Sequence, residues 1–472
     1  MFRLASCLAV FAVLVSVGRA EVIFTKIADT ATPMPGGGTF SRFGAVSLDG
    51  GNVAFSAQGN DREGIYTYID GILDCVADTN TPVPGTTENF ARFGGLSMSG
   101  SQVAFLGHKE DFAGIYTGAN GVLTTIVDYN TAIPGGGGDF AYLSTPSVSG
   151  GSVAFLAWSR LPSGNLEQEG LFLSRNGVID LLVGKSTPRP DGDGTFDHIS
   201  FTPSGLDQGD VGFCGYYGIY KTVGGVPTKV ADENTPVPGW TGTFLGFDAP
   251  SFDDGVVAFR SPSHGLSSGG VYADLDGELV VVADANTPLP DSTENFGGFG
   301  WPIIDGRNIA FESLTPSQQG IYLNRDGSLM KVVDRTDVLD GKRPLQTGTT
   351  TFSAIGLSGD SVLFKVKFED ESQALYLAEV SVDPPPPPIP DLDGDGFVGS
   401  HDLDIVRAWW GWDVEPGNTD RGDATGDGLV NSADLDIIRA NWGATTAAAV
   451  PEPGAIFLAL GGAVFVALRR RR

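Results

Sequence analysis

A chain of 472 residues with 41% apolar content is long enough for one large domain plus a small one, and too apolar to be mostly disordered. Its 67 glycines and 29 prolines lack the three-residue period of collagen and read as punctuation between many short strands. A formal net charge of −28 argues against nucleic acid and anionic lipid as partners, because counterion release cannot drive an acidic surface onto a polyanion.

Residues 1–20 carry a basic start at Arg3, an apolar run from Leu4 to Val17 and the small-residue end Val17-Gly18-Arg19-Ala20. That is the pattern of a secretory signal peptide, and it places the mature start near Glu21. The run is short for a hydrocarbon core of about 30 Å. Of three cysteines, Cys7 leaves with this segment, and Cys75 and Cys214 fall in repeats that are not neighbours, so no disulfide scaffold is expected.

From residue 21 to 382 the chain repeats with a period near 50 residues, in the range of propeller blades. The triplet Val53-Ala54-Phe55 recurs at Val103, Val153, Val211, Val257, Ile309 and Val362, seven copies in all. Gly64-Ile65-Tyr66 recurs at Gly114, Gly170, Gly218, Gly270, Gly320 and Ala374. Runs ending in aspartate before a Pro-rich turn, such as Val76-Ala77-Asp78 through Pro82, form a third element. A fourth is a strand opening on phenylalanine, at Phe40, Phe90, Phe140, Phe196, Phe244, Phe296 and Phe352.

β-Branched and aromatic runs between Gly, Asn, Asp and Pro are strands joined by tight turns, so each unit reads as a four-stranded antiparallel sheet, A to D. The chain begins on a D-type strand, Val22 to Ala28, and the seventh unit ends near Val380 without one. Pairing these two would close a ring of seven blades and protect its sheet edges. An open β-solenoid is the alternative, but it predicts capped ends rather than this complementary deficit.

The aspartates that end equivalent strands, Asp78, Asp128, Asp232, Asp284 and Asp334, read as Asx-type turn starters rather than metal ligands, because a residue present in nearly every blade serves the blade. Two departures from the repeat, 158–169 with Trp158 and Arg160 and 191–198 with Asp191, Asp193 and Asp197, are where loop-borne function would sit, although ordinary loop variation accounts for both. No Asp-box or HExxH motif occurs. Gly265-Leu266-Ser267-Ser268-Gly269 matches GxSxG between two strands, whereas a nucleophile elbow needs a strand-to-helix turn. His108, His198 and His264 lie in different units without ligand spacing and read as surface residues.

Residues 383–390, with Pro384 through Pro388, should adopt extended polyproline II and act as a linker of about 20 Å at about 3.1 Å per residue. Residues 391–443 follow with two aligned twelve-residue loops, Asp391 to Asp402 and Asp423 to Asp434, each running into one helix, Leu403 to Trp410 and Leu435 to Trp442. Oxygen ligands at alternate positions can surround calcium. They are Asp391, Asp393, Asp395, the Phe397 carbonyl and Asp402 in the first loop, and Asp423, Thr425, Asp427, the Leu429 carbonyl, Asn431 and Asp434 in the second. Gly399 and Thr425 depart from the usual ligand set and leave water to complete the shell. The paired half-EF-hands resemble the type I dockerin family. The resemblance implies two bound Ca²⁺ ions and docking onto a cohesin-like partner, with Ser400, His401, Ser432 and Ala433 at the positions that choose it. A calcium-stapled spacer without such a partner is the alternative.

In residues 444–472, Val450-Pro451-Glu452-Pro453-Gly454 precedes an apolar stretch from Ala455 to Leu468 and four arginines. This resembles a PEP-CTERM sorting signal, with a C-terminal hydrophobic helix and an exosortase-type processing enzyme implied, and the arginines would hold the end on the cytoplasmic side. Simple membrane anchoring is the alternative for so short a helix. The expected fold is mainly β: a seven-bladed propeller closed by its N-terminal strand, a small helical calcium-binding module and the tail. The expected protein is exported to a bacterial envelope, surface or matrix, with the propeller as a binding or structural platform. The rival is a secreted polysaccharide-active enzyme.

Overall fold

In a computed structural model the described residues are 21–443, apart from 111, 136–137, 161–165, 191, 193, 197, 216–217, 263–268, 291, 315–318, 348–350, 382–390, 394–396, 415–417 and 425–427. The segments read as signal peptide, linker and sorting tail lie outside them. So do Asp191, Asp193, Asp197, Ser267 and His264. No helix of the described residues is long and apolar enough to cross a membrane. Two units are distinguished, one running to Ser381 and one beyond it, and each is taken by itself.

The first unit is a seven-bladed β-propeller. Blade one has strands Arg42–Asp49, Asn52–Gly59, Arg62–Ile69 and Ile72–Asp78, paired in that order, and the other blades repeat the plan. In blade seven the order is Glu21–Asp29, Gln373–Ser381, Ser361–Lys367, Phe352–Ser358, so the N-terminal strand supplies the missing outer strand. Antiparallel pairing runs from Glu21 opposite Ser381 to Asp29 opposite Ala374. The open edges left by the two chain ends thereby satisfy each other.

The residue pattern explains the blade. Strand-B phenylalanine and strand-C tyrosine pack against the phenylalanine that precedes strand A: Phe40 meets Tyr66 edge-on at 5.1 Å and Phe55 at 5.7 Å. The same triad recurs as Phe90, Phe105 and Tyr116, and as Phe296, Phe311 and Tyr322. Edge-to-face rings gain about 0.5–1.5 kcal/mol beyond burial, so the aromatic spacing selects one register per sheet. Blade seven differs. Phe352 lies opposite Val366, as Phe43 lies opposite Ala57, and therefore takes the second aromatic seat of strand A rather than the seat of Phe40.

A bulge not evident in the sequence pattern recurs between strands C and D. Tyr66 pairs with Cys75 and Ile65 with Ala77, leaving Val76 as the extra residue. Ile126, Leu182, Val230, Val282 and Val332 are its counterparts, and Ile27 is the counterpart in the closing strand. Such bulges increase local twist, here at the rim of the ring. The aspartate that follows starts the turn as expected: Asp78 Oδ1 accepts from Asn80 N at 2.8 Å and Thr81 Oγ1 at 3.1 Å, while Asp78 N donates to Thr81 Oγ1 at 2.9 Å. Asp29, Asp128, Asp232 and Asp284 repeat the pattern with a threonine, and Asp334 uses Thr336 and Asp337.

In the second unit, helices α1 (Ser400–Ala408) and α2 (Ser432–Ala440) start earlier than the residue pattern suggests, because Asp402 and Asp434 sit in the first turn and accept the N–H of Gly399 and Asn431. Leu392, Val398, Val406, Val430 and Ile438 form its small core.

Ile27 is 6% exposed and packs with Phe40, Phe43, Phe55 and Tyr66, so the closing strand is buried in blade one as well as paired in blade seven. Replacing Ile27 by alanine should cost about 2–4 kcal/mol in urea unfolding. A loss below about 0.5 kcal/mol would mean that the seam does not carry the ring.

Candidate functional site

The seven innermost strands surround a cavity of about 360 Å³, lined by late strand-A residues such as Ser47, Ser97, Asp207 and Asp305. At the A–B turns one kind of bond recurs from each blade to the next. Side chains of Asp49, Ser99, Ser149, Asp207, Asp253, Asp305 and Ser358 accept the backbone N–H of Gly100, Gly150, Gln208, Asp254, Gly306, Gly359 and Gly50 in turn. The last of these joins blade seven to blade one. Burial raises the pKa of Asp253, and the neighbouring carboxylates Asp207, Asp305 and Asp254 add to that rise. These acids are absorbed by the ring itself.

Symmetry breaks at the end where strand A begins. The residue after the strand-B phenylalanine faces the next blade and is Ser56, Leu106, Leu156 or Cys214 in blades one to four. Blades five to seven place Arg260, Glu312 and Lys365 there. Arg260 Nη1 donates to the Phe299 carbonyl at 2.8 Å and Lys365 Nζ to the Phe43 carbonyl at 3.2 Å. Glu312 has no proton to donate in this way when ionised. Its Oε1 instead accepts from Gln319 Nε2 at 2.5 Å, and Gln319 Oε1 accepts from Arg335 Nη2 at 2.6 Å. Burial is the main cause that pushes the Glu312 carboxyl up to about 7, against the Gln319 bond and the charges of Arg335 and Lys365. Burial likewise lowers Lys365, with the Arg42 charge adding to the effect.

Trp301 stands beside this group, 67% exposed, at the strand-A position where blades one, two and five have Ala45, Gly95 and Ala249. The Arg260 guanidinium lies over its ring, 5.8 Å from the centroid, and the Arg260 Nε bonds Asp248 Oδ2 at 2.6 Å. Gly300 lets the Trp301 peptide approach Glu312: a β-carbon there would stand 3.0 Å from the Glu312 Cβ. The position equivalent to Arg42 holds Arg92, Tyr142 and His198 in blades two to four, but Gly246 and Gly298 in blades five and six, where the nearest atoms to an added β-carbon are 3.7 and 3.5 Å away. Among the described residues, that sector of the rim therefore lacks the large side chains that stand at these positions elsewhere.

The sequence pattern alone does not reveal this group, because its members are scattered over three strands and the segment that precedes a fourth. The signal is the column after the repeated triplet, where four small or apolar residues give way to three charges. Elsewhere, Trp158 forms no loop lip but lies within the strand Ser152–Arg160, opposite Tyr142, with ring centroids 4.2 Å apart. His108 is not a plain surface residue: it is half-buried opposite Arg92, and burial lowers its pKa. His198 is exposed, with Nδ1 3.6 Å from Glu169 Oε1.

In the second unit, carboxylate oxygens of Asp391, Asp393 and Asp402 lie within 4.8 Å of one another, a hard-oxygen set of the kind that could hold a divalent cation. Asp402 is 1% exposed, and its Oδ1 accepts from Leu392 N at 2.6 Å. Asp423 and Asp434 are also buried, and Asp423 Oδ2 accepts from Gly428 N at 2.9 Å. Asn431 Oδ1 caps α2 by accepting from Ala433 N at 2.8 Å. Ser400, His401, Ser432 and Ala433 are exposed, as are the side chains of Phe397 and Leu429. Asp395, Thr425 and Asp427 lie outside the described residues, as do Val450, Pro451, Glu452 and Pro453.

Residues 25–374 match a family described as a family of unknown function (DUF7453). No curated protein matches the chain. Among solved structures, the chain is similar to the β-propeller domain of the Trilobed protease from Pyrococcus furiosus, at 9% identity and a TM-score of 0.46 over 72% of this chain and 94% of that one. It is also similar to an acylaminoacyl peptidase from Pyrococcus horikoshii, at 11% identity and a TM-score of 0.45 over 71% of this chain and 50% of that one. A third is the polysaccharide lyase Uly1, at 9% identity and a TM-score of 0.40 over 72% and 90%.

The Glu312 carboxyl generates a pH prediction. Unfolded, it ionises near 4.5; folded, it ionises near 7, so ionisation opposes folding progressively as pH rises through that window and by a constant amount above it. Between pH 4 and pH 8, Glu312→Gln should gain on the order of 2 kcal/mol in unfolding free energy relative to the unsubstituted chain. A difference that does not vary with pH would place the carboxyl in solvent.

Proposed function

The chain belongs to the family of unknown function DUF7453, and we propose that it is an exported surface or matrix protein whose propeller is a binding or structural platform followed by a calcium-ordered docking module. The observation that carries the platform reading is the regularity of the ring: each blade spends its recurrent aromatics and aspartates on its own packing and turns, and one rim sector departs from the pattern. Export rests on the N-terminal residue pattern, and surface sorting on the Pro-Glu-Pro tail with its four arginines.

A polysaccharide-active enzyme is the second reading, favoured by one specific observation, the buried Glu312 carboxyl whose pKa is pushed up to about 7. Incubation of the full chain with neutral and acidic polysaccharides separates the two. The platform reading expects no release of reducing ends, and sustained release abolished by Glu312→Gln would replace it with the enzyme.

The module is proposed to bind two calcium ions. Asp391, Asp393, Asp395, the Phe397 carbonyl and Asp402 would hold one, and Asp423, Thr425, Asp427, the Leu429 carbonyl, Asn431 and Asp434 the other. What supports this is the all-oxygen donor set and the three convergent carboxylates of the first loop. Ser400, His401, Ser432 and Ala433 would then face a cohesin-like partner. Calorimetric titration with Ca²⁺ should give two sites, and Asp402→Asn should weaken one of them at least tenfold. Absence of heat in the unsubstituted chain would remove the calcium reading.

A further inference from the structure

We propose that the rim sector of blades five and six around the exposed Trp301 is a saccharide subsite, with the Trp301 indole as the stacking platform for an uncharged pyranose ring of a glycan. The inference rests on the platform reading above and names the ligand class that such a platform takes.

Three observations converge on it. Trp301 is 67% exposed where the corresponding residues of other blades are small, so this large apolar surface is retained in the open at a position that does not need it for packing. Arg260 covers the ring from one direction and is itself fixed by Asp248 and by the Phe299 carbonyl, so the indole has a rigid backing. Gly246 and Gly298 stand at the rim in place of the large Arg42, Arg92, Tyr142 and His198 of other blades, so these two positions add no side chain beside the indole. A flat aromatic face beside fixed polar groups matches the alternation of C–H faces and equatorial hydroxyls on a sugar ring.

Charge selects within that class. The Arg260 cation is already neutralised by Asp248 at 2.6 Å, and the whole chain carries a net charge of −28. A polyuronate would meet a repulsive field with no spare guanidinium to receive its carboxylates, whereas a neutral glycan pays no such penalty.

The test is affinity electrophoresis of the full chain in gels containing β-glucan, mannan, xylan or alginate, with Trp301→Ala and Tyr142→Ala as variants. Tyr142 is an exposed aromatic on blade three and controls for unspecific stacking. Thermal unfolding checks that both variants remain folded. The expected result is retardation by at least one neutral polymer, a tenfold or greater loss for Trp301→Ala, no loss for Tyr142→Ala and no retardation by alginate. Equal retardation of Trp301→Ala and the unsubstituted chain would overturn the subsite and leave the platform intact. Preference for alginate would overturn the charge argument and with it the proposal. No retardation by any of the polymers would overturn the subsite while leaving a structural platform, and release of reducing ends would overturn the platform itself.

Discussion

One strand pairing makes the rest of the propeller possible. Residues 21–29 lie at one end of the repeat region and 373–381 at the other, and their antiparallel ladder gives the seventh sheet its outer strand. Without it, strand C of blade seven would expose a row of unpaired backbone groups, and the N-terminal strand would be an orphan. The ladder is reinforced on both sides. Phe24 meets Phe364 edge-on at 6.1 Å within blade seven, and Ile27 enters the aromatic core of blade one. Sequence-distant ends are thereby held by the same hydrophobic layers that hold consecutive blades together.

Much of this architecture is legible in the residues, because periodicity reports what every blade must do. The Val-Ala-Phe and Gly-Ile-Tyr triplets mark strands B and C, and the complementary deficit at the two ends marks the seam. The C–D bulge is less visible, since Val76 and its counterparts are apolar residues in an apolar run and only the pairing of Tyr66 with Cys75 reveals the extra one. Phe352 misleads for a related reason. Two aromatic seats lie three residues apart at the start of each blade, as at Phe40 just before strand A and Phe43 within it, and a single phenylalanine does not say which seat it fills.

The rim group is hidden for a different reason. Arg260, Trp301, Glu312 and Lys365 look unremarkable one at a time among many charged and aromatic residues. They become a group only when strand register and the Arg260–Trp301 contact bring them to the same edge of the ring, and when Gly246 and Gly298 are seen to replace the large side chains of other blades there. The two twelve-residue acidic loops show the opposite case. The residues proposed to hold calcium fall within twelve consecutive positions, so spacing alone draws attention to them, and α1 and α2 begin where the terminal aspartate of each loop accepts the backbone N–H of its own first turn.

The hydrogen bonds at the A–B turns have an implication for how such a molecule arises. Every blade offers one side-chain acceptor to its neighbour and one backbone donor to the neighbour behind it. The unit is self-complementary, so a duplicated copy inserted into the ring brings its own acceptor and its own donor and leaves no polar group stranded. Either Asp or Ser serves as acceptor, which tolerates drift between copies after duplication. Growth by whole repeats is thus chemically neutral at this mouth, and the number of blades is left to the wedge angle set by the aromatic layers between them.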